Sequence, residues 1–210
     1  MKLYDAAFAP SPRRVRIYLA EKALSVERVM IDLRAGEHLG AAFLAVNPRG
    51  ALPALQLDDG EVIAESSAIC RFFETLHPDP PLFGTRPIEV ARIEGWTRRV
   101  EAEGFTAAAY ALRNMSPAFA GRAEVGIWPR LEQIPTLAAR GKVMWDAFVA
   151  TLDRRLAESE WIAGDRYSYA DITALTTVDF ARAIKLPVSD EAVHLLRWHD
   201  AASARPSAAA

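Results

Sequence analysis

Apolar and polar positions along the first third of the chain change period several times, and each change predicts an element. Lys2-Leu3-Tyr4 is a short strand-type start. Val15, Tyr18, Leu19 and Ala23 recur at three- and four-residue steps, which predicts a helix. Pro12 suits its first turn and Ser11 the cap before it. Val26 to Leu33 reads as a second strand, with Val29, Ile31 and Leu33 on one face. The run Ala35-Gly36-Glu37-His38-Leu39-Gly40 breaks that pattern, and a short helical piece with Phe43 and Leu44 follows. Leu55–Leu57 and Val62–Ile63 read as two strands around the hairpin signal Asp58-Asp59-Gly60. A helix from Ser66 to about Leu76 closes the series.

His77-Pro78-Asp79-Pro80-Pro81-Leu82-Phe83-Gly84 cannot continue a helix, because three prolines fall within four residues and a glycine follows. Beyond it no strand pattern recurs. Pro87 opens a long helical segment through Ile93, Trp96 and Val100 to about Leu112. Trp145, Phe148, Val149, Leu152 and Leu156 mark another helix at the same spacing. Ser168-Tyr169-Ala170-Asp171 opens a third with a capping-box pattern, and Leu195–Ala202 reads as a fourth. The end, Arg205–Ala210, reads as a short frayed tail. The order β-α-β-α-β-β-α fits a thioredoxin-like layer. The fold class expected is therefore α/β + all-α: an N-terminal thioredoxin-like domain over 1–77, a linker over 78–86, and an all-helical C-terminal domain over 87–210.

Composition narrows the functional classes. About half of the 210 residues are apolar, enough for a well-filled core. The formal charge of −2 gives no reason to expect nucleic acid or an anionic membrane surface as a partner. A single cysteine, Cys70, excludes an internal disulfide framework and fits a reducing compartment. No apolar run approaches transmembrane length, and the first residues lack a signal-peptide core, so a cytoplasmic protein is expected. The four histidines, His38, His77, His194 and His199, do not cluster with carboxylates at ligand spacing, so no metal site is expected.

The chemistry concentrates between Val46 and Ser67. In Asn47-Pro48-Arg49-Gly50-Ala51-Leu52-Pro53-Ala54-Leu55, a proline directly precedes a short apolar run and cannot donate a ladder hydrogen bond there. A cis bond at Leu52–Pro53 would turn the backbone of Leu52 outward, where an extended peptide could pair with it as an added strand. Glu65-Ser66-Ser67 stands where a helix begins, so the hydroxyl of Ser66 and the amides behind it offer an anion pocket. Glu65 beside it can accept from an ammonium group. A short peptide with a free α-amino acid end satisfies all three features.

The NPxGxxPxL run followed by an acidic residue and a helix-opening serine resembles the glutathione-binding half of the cytosolic glutathione transferases, in particular their bacterial, serine-type, theta-like branch. The two-domain layout resembles that family over almost the whole chain. The resemblance implies a glutathione transferase that activates the glutathione thiol for attack on a small electrophilic substrate. Glutathione would be the co-substrate, with no metal. Leu52 and Pro53 would bind its backbone, and Glu65 and Ser66 its γ-glutamyl end. His38, in a Gly-Glu-His-Leu segment similar to the GxHL of theta-like members, would reach its glycine end. A thiolate is the nucleophile, and the devices that favour it are a hydroxyl near sulfur and a helix N-terminus aimed at it. Serine-type members carry their serine six residues before a Val-Arg pair. Here six residues before Val15 stands Ala9, and Ser11 is the nearest hydroxyl. Ser11 is therefore the catalytic candidate, alongside a simple capping role. Arg13 and Arg14 either add positive potential near sulfur or form a solvated face. By position relative to the family, Phe8, Tyr110, Met115 and Phe119, with Trp128, are candidates for the second-substrate pocket, and the irregular stretch Ser116–Gln133 is its candidate lid. The family also implies a homodimer, with Arg71 and Glu101 as candidate contacts, and a role in detoxification.

Other readings stay open at this point. A non-catalytic glutathione-binding or protein-interaction module with the same fold is the alternative, since fold does not fix function. Maleylacetoacetate isomerisation is disfavoured, because the Ser-rich SSCS-like segment of zeta-like members is absent. Cys70, inside a helix without a CxxC partner, reads as a small packing residue, against thiol–disulfide chemistry. Asp171 reads as a helix cap rather than a catalytic acid.

Overall fold

A computed structural model describes residues 1–210. Packing divides the chain into two units: Met1–Pro80 with Val125–Pro129 and Ala210, and Pro81–Glu124 with Arg130–Ala209.

The first unit runs β1 (Lys2–Asp5), α1 (Pro10–Glu21), β2 (Glu27–Met30), α2 (Ala41–Leu44), β3 (Ala54–Gln56), β4 (Val62–Ala64) and α3 (Ser66–Leu76). Its four strands lie in the order β2-β1-β3-β4. β1 pairs parallel with β2 and antiparallel with β3, and β3 pairs antiparallel with β4. This is the thioredoxin-like layer. Leu3, Val15, Ile17, Leu55, Ile69 and Cys70 are fully buried and form its core. α1 and α3 pack on one another. Lys22, just past α1, ties their ends together. Its ammonium meets the Glu74 carboxylate at 2.6 Å and donates to the carbonyls of His77 at 2.7 Å and Pro80 at 2.6 Å.

β2 is shorter than the expected strand over 26–33. The carboxylate of Asp32 accepts from the N–H groups of Arg34 at 2.7 Å and Ala35 at 3.1 Å, and this turn ends the extended run.

The second unit contains α4 (Pro87–Arg99), a π-helical turn over Val100–Phe105, α5 (Thr106–Arg113), α6 (Pro135–Ala157), α7 (Tyr169–Ala183) and α8 (Val193–Ser203). The long helix expected from Pro87 is thus interrupted by the π turn. Gly104 explains its position: a Cβ there would stand 2.6 Å from the ring of Phe148. α6 begins ten residues before its apolar stripe, because Thr136-Leu137-Ala138-Ala139-Arg140-Gly141 carries little apolar periodicity to announce it. The segment 78–86 is packed in part: Leu82 and Phe83 are buried, and Phe83 stacks on Tyr169 with centroids 4.5 Å apart. The tail expected to fray is ordered. Pro206–Ala209 form a 3-10 turn, and the Arg205 guanidinium sits 4.1 Å over the ring of Tyr167. No helix is long and apolar enough to cross a membrane.

Candidate functional site

Sheet register decides which loops meet. Ala54, the first residue of β3, is paired with Tyr4 on one side and Ala64 on the other. The residues just outside those pairs therefore share one edge of the sheet. They are the Ala6–Ala9 loop leading into α1, Leu52-Pro53, and Glu65-Ser66 at the start of α3.

The Leu52–Pro53 bond is cis. Neither the N–H nor the C=O of Leu52 is paired within the chain, so both can join an extended peptide. The turn before it is held by Asn47. Its amide donates to the Ala51 carbonyl at 2.8 Å, its Oδ1 accepts from the Arg49 N–H at 3.2 Å, and its own carbonyl accepts from the Gly50 N–H at 2.9 Å. Gly50, at φ +61, leaves no room for a side chain, since the His38 carbonyl and the side chain of Ile127 lie 3.1–3.2 Å from where a Cβ would stand.

Glu65 precedes α3 with φ +73, a conformation rare outside glycine. Its Oε1 pairs with the Arg49 guanidinium at 2.8 Å, and both side chains are well exposed. Ser66 is buried at the first position of α3, whose opening turn carries no acidic residue. His38 lies half-buried in the 3-10 turn Glu37–Leu39, beside Gly50.

Ser11 does not cap α1. The helix starts at Pro10, with Ala9 as its cap, and Ser11 is the second helical residue. Either proline is tolerated in a first turn, because the missing N–H would be an orphan there in any case. The arrangement has a consequence for chemistry. Pro10 and Pro12 have no N–H, the Ala9 N–H meets the Ala6 carbonyl at 3.5 Å and the Arg13 N–H meets the Ala9 carbonyl at 3.2 Å. The Ser11 N–H is the one amide donor of this turn left over, and its hydroxyl belongs to the same residue. No acidic residue stands in the turn to oppose an anion. Arg14 is buried rather than solvated, because α1 is covered on nearly every side from Arg14 to Leu19.

Sequence reasoning missed what fixes the loop into α1. Asp5 is fully buried, accepts from the Ala6 N–H at 2.6 Å, and pairs with Arg16 at 2.7 Å and Arg28 at 2.8 Å. Arg16 also donates to the carbonyls of Ala6 and Ala7, each at 3.3 Å. Desolvation holds the Arg16 guanidinium below its usual pKa, while Asp5 opposes that shift. A Val-Arg pair inside a helix gave no local sign of this. The Arg49–Glu65 pair was more accessible to sequence reasoning, since opposite charges stood within the two halves of one motif.

Among the residues expected to face a second substrate, Phe8 in the first unit is exposed, with Arg34 5.3 Å from its ring. In the second unit, Tyr110 on α5 is half-buried and Met115 is exposed. The ring of Phe119 has the guanidinium groups of Arg113 at 4.4 Å and Arg122 at 5.7 Å. Asp171 lies in none of these surfaces. It is fully buried and accepts four hydrogen bonds: from the Ser168 N–H and hydroxyl, the Ile162 N–H and the Trp198 indole, at 2.9–3.0 Å. Burial outweighs those bonds and pushes its carboxyl up to about 6.

Comparison with known proteins gives the family. The model of the glutathione S-transferase N-terminal domain matches residues 8–76, and that of the C-terminal domain matches residues 133–206. Glutathione S-transferase 2 of Saccharomyces cerevisiae is 36% identical over 99% of this chain and 87% of its own length. The crystal structure of a glutathione S-transferase domain-containing protein from Marinobacter aquaeolei VT8 superposes with a TM-score of 0.90 at 35% identity, covering 99% of each chain. A maleylacetoacetate isomerase of Pseudomonas aeruginosa is 42% identical, but over 45% of this chain and 46% of its own. The chain belongs to the glutathione S-transferase family. Its activity is that of a glutathione transferase, which activates the glutathione thiol for attack on small electrophiles, and the non-catalytic alternative is not favoured.

Proposed function

We propose that glutathione lies along the sheet edge of the first unit. Its backbone pairs with the N–H and C=O of Leu52, beside Pro53. Its γ-glutamyl ammonium goes to Glu65, through the carboxylate oxygen that Arg49 leaves, and its α-carboxylate goes to Ser66 and the α3 N-terminus. Its glycine carboxylate goes to His38. The observation that most supports this reading is the pairing of Ala54 with both Tyr4 and Ala64, with Leu52 unpaired just outside it.

Ser11 then stabilises the thiolate. A glutathione thiol ionises near the ordinary cysteine value, about 8.5, so little thiolate exists at neutral pH without help. The Ser11 N–H and hydroxyl donate to sulfur, and the α1 dipole favours negative charge there. The thiol proton passes to solvent, sulfur forms the new bond to the electrophilic carbon, and a leaving group, where there is one, departs with the electron pair. Phe8, Tyr110, Met115 and Phe119 are the apolar groups we assign to electrophile binding. We further infer a cytoplasmic homodimer acting in detoxification; the single buried cysteine and the family's habits favour it.

Ultraviolet thiolate absorbance of bound glutathione, titrated against pH, tests the chemistry. Wild type should show a thiol pKa well below the free value. Ser11→Ala, which keeps the N–H, should raise it in part. Ser11→Pro, allowed in a first helical turn but lacking the N–H, should raise it close to the free value. A Ser11→Pro titration matching wild type would exclude Ser11 as the activating group.

A further inference from the structure

Five residues from late in the sequence, Val125–Pro129, pack with the first unit rather than with their neighbours in the chain. This strap has three points of attachment, and all converge on Arg49 and Gly50. The Ile127 N–H donates to the Arg49 carbonyl at 2.8 Å. The side chain of Ile127 fills the space where Gly50 would carry a Cβ. Gly126, at φ +95, passes so near that a Cβ on it would stand 2.8 Å from the same Arg49 carbonyl oxygen. The strap also closes on itself, through the Trp128 indole N–H to the Val125 carbonyl at 2.8 Å.

Burial does not account for this contact. Val125 is 47% exposed, Ile127 50% and Trp128 58%, so little apolar surface is removed from water. What the strap does determine is the backbone of Arg49. That residue's carbonyl is held by Ile127, its N–H by Asn47, and its guanidinium by Glu65. An exposed ion pair such as Arg49–Glu65 contributes little to folding, because both side chains face water. Its geometry matters instead to whatever uses the second oxygen of Glu65.

We infer that Gly126 and Ile127 are positioning residues for glutathione, acting through Arg49 on Glu65 and on the turn that presents Leu52. This rests on the reading of the glutathione site given above. The strap touches the loop from a distant part of the sequence, so it can alter ligand affinity without altering the thiolate site at Ser11.

Steady-state kinetics with glutathione varied against a saturating aryl halide test the inference on the full-length enzyme. Gly126→Ala drives a Cβ against the Arg49 carbonyl and should raise KM for glutathione about five- to tenfold, the worth of one hydrogen bond. Ile127→Ala keeps the N–H, loses the contact with Gly50, and should raise KM about two- to threefold. Ile127→Val should restore wild-type KM. In each, kcat should stay within about twofold; Ile127→Ala should hardly move the melting temperature, whereas Gly126→Ala, which puts a side chain at φ +95, should lower it by a few degrees. Unchanged KM in Gly126→Ala overturns the inference, and so does a joint fall of kcat and melting temperature at constant KM, the mark of a structural role. Glu65→Ala separates the two levels. If it raises KM while Gly126→Ala does not, the strap inference alone fails. If Glu65→Ala leaves KM unmoved, the glutathione reading fails and the strap inference falls with it.

Discussion

Glu65 carries the sharpest conflict between stability and use at a single residue. At φ +73 a side-chain-bearing residue is strained, by about 1–3 kcal/mol, and such strain gathers where a ligand is clamped. Its partner Arg49 returns little, because both side chains face water. Glu65→Gly should therefore relieve strain and stabilise the fold by about 1 kcal/mol after the entropic cost of glycine, while KM for glutathione rises more than about tenfold. Equilibrium denaturation beside kinetics checks both halves. A variant that is less stable and binds glutathione normally would assign Glu65 to the fold instead. Legibility at this scale follows the chemistry of each side chain. Leu52-Pro53 and Glu65-Ser66 stood out because a proline before an apolar run and an acid before a capping serine each point one way. The positive φ of Glu65 left no trace, since no glycine marks it. Ser11 was misplaced by two positions because Pro10 and Pro12 satisfy a first turn equally well, and packing of the loop by Arg16 decides between them.

Among the elements, α7 depends most on one interaction. Tyr169 through Val178 are all buried, so the helix start has no water to satisfy it. Asp171 meets that need from inside the helix, and it also takes the Ile162 N–H and the Trp198 indole from α8. Asp171→Ala strands four donors in the interior and should cost about 3–5 kcal/mol. Because Asp171 touches no proposed substrate group, kcat per folded molecule should be unchanged. Active-site titration of the variant at low temperature measures that directly, and a lost kcat in fully folded protein would make Asp171 catalytic. Ser168-x-x-Asp171 was readable as a capping box, because its partners are three residues apart. Ile162 and Trp198 were not, being nine and 27 residues away. The same limit hid the π turn, which follows from Phe148 closing on Gly104, and the strap at Val125–Pro129, which follows from the Arg49 carbonyl. Helices and strands with an apolar stripe were legible. The early turns of α6 were not, as they carry none.

For the molecule as a whole, pH sets two opposing trends. Glu89 accepts from the N–H groups of Arg86 and Thr85 and from the Arg86 side chain, which hold its carboxyl down at about 2, and Asp32 is lowered likewise by the N–H groups of Ala35 and Arg34. A lowered carboxyl stabilises the fold above its unfolded pKa and loses that contribution as pH falls through the folded value, so both groups work against acid. Both lie in water, where such effects are small. Asp171 has the opposite sign and is fully buried. Its folded pKa of about 6 lies above the unfolded 3.8, so the folded protein holds the proton more tightly between those values. Its contribution is complete below pH 3.8 and is lost as pH rises to about 6, beyond which it is constant. At about 1.4 kcal/mol per unit the loss across that window is roughly 2–3 kcal/mol. Asp171→Asn cannot titrate, and its NH2 group sets two hydrogens and no acceptor against two of the four donors, where even the protonated acid has one hydrogen and keeps an oxygen, so it should be less stable than wild type throughout. The deficit should nevertheless narrow by about 2–3 kcal/mol between pH 4 and pH 6, as wild type alone pays for deprotonation of the unfolded chain. Urea unfolding of both proteins at half-unit steps over that range measures the gap. A deficit that widens toward pH 6 would mean that the four hydrogen bonds outweigh burial and that the Asp171 carboxyl is lowered, not raised, in the fold.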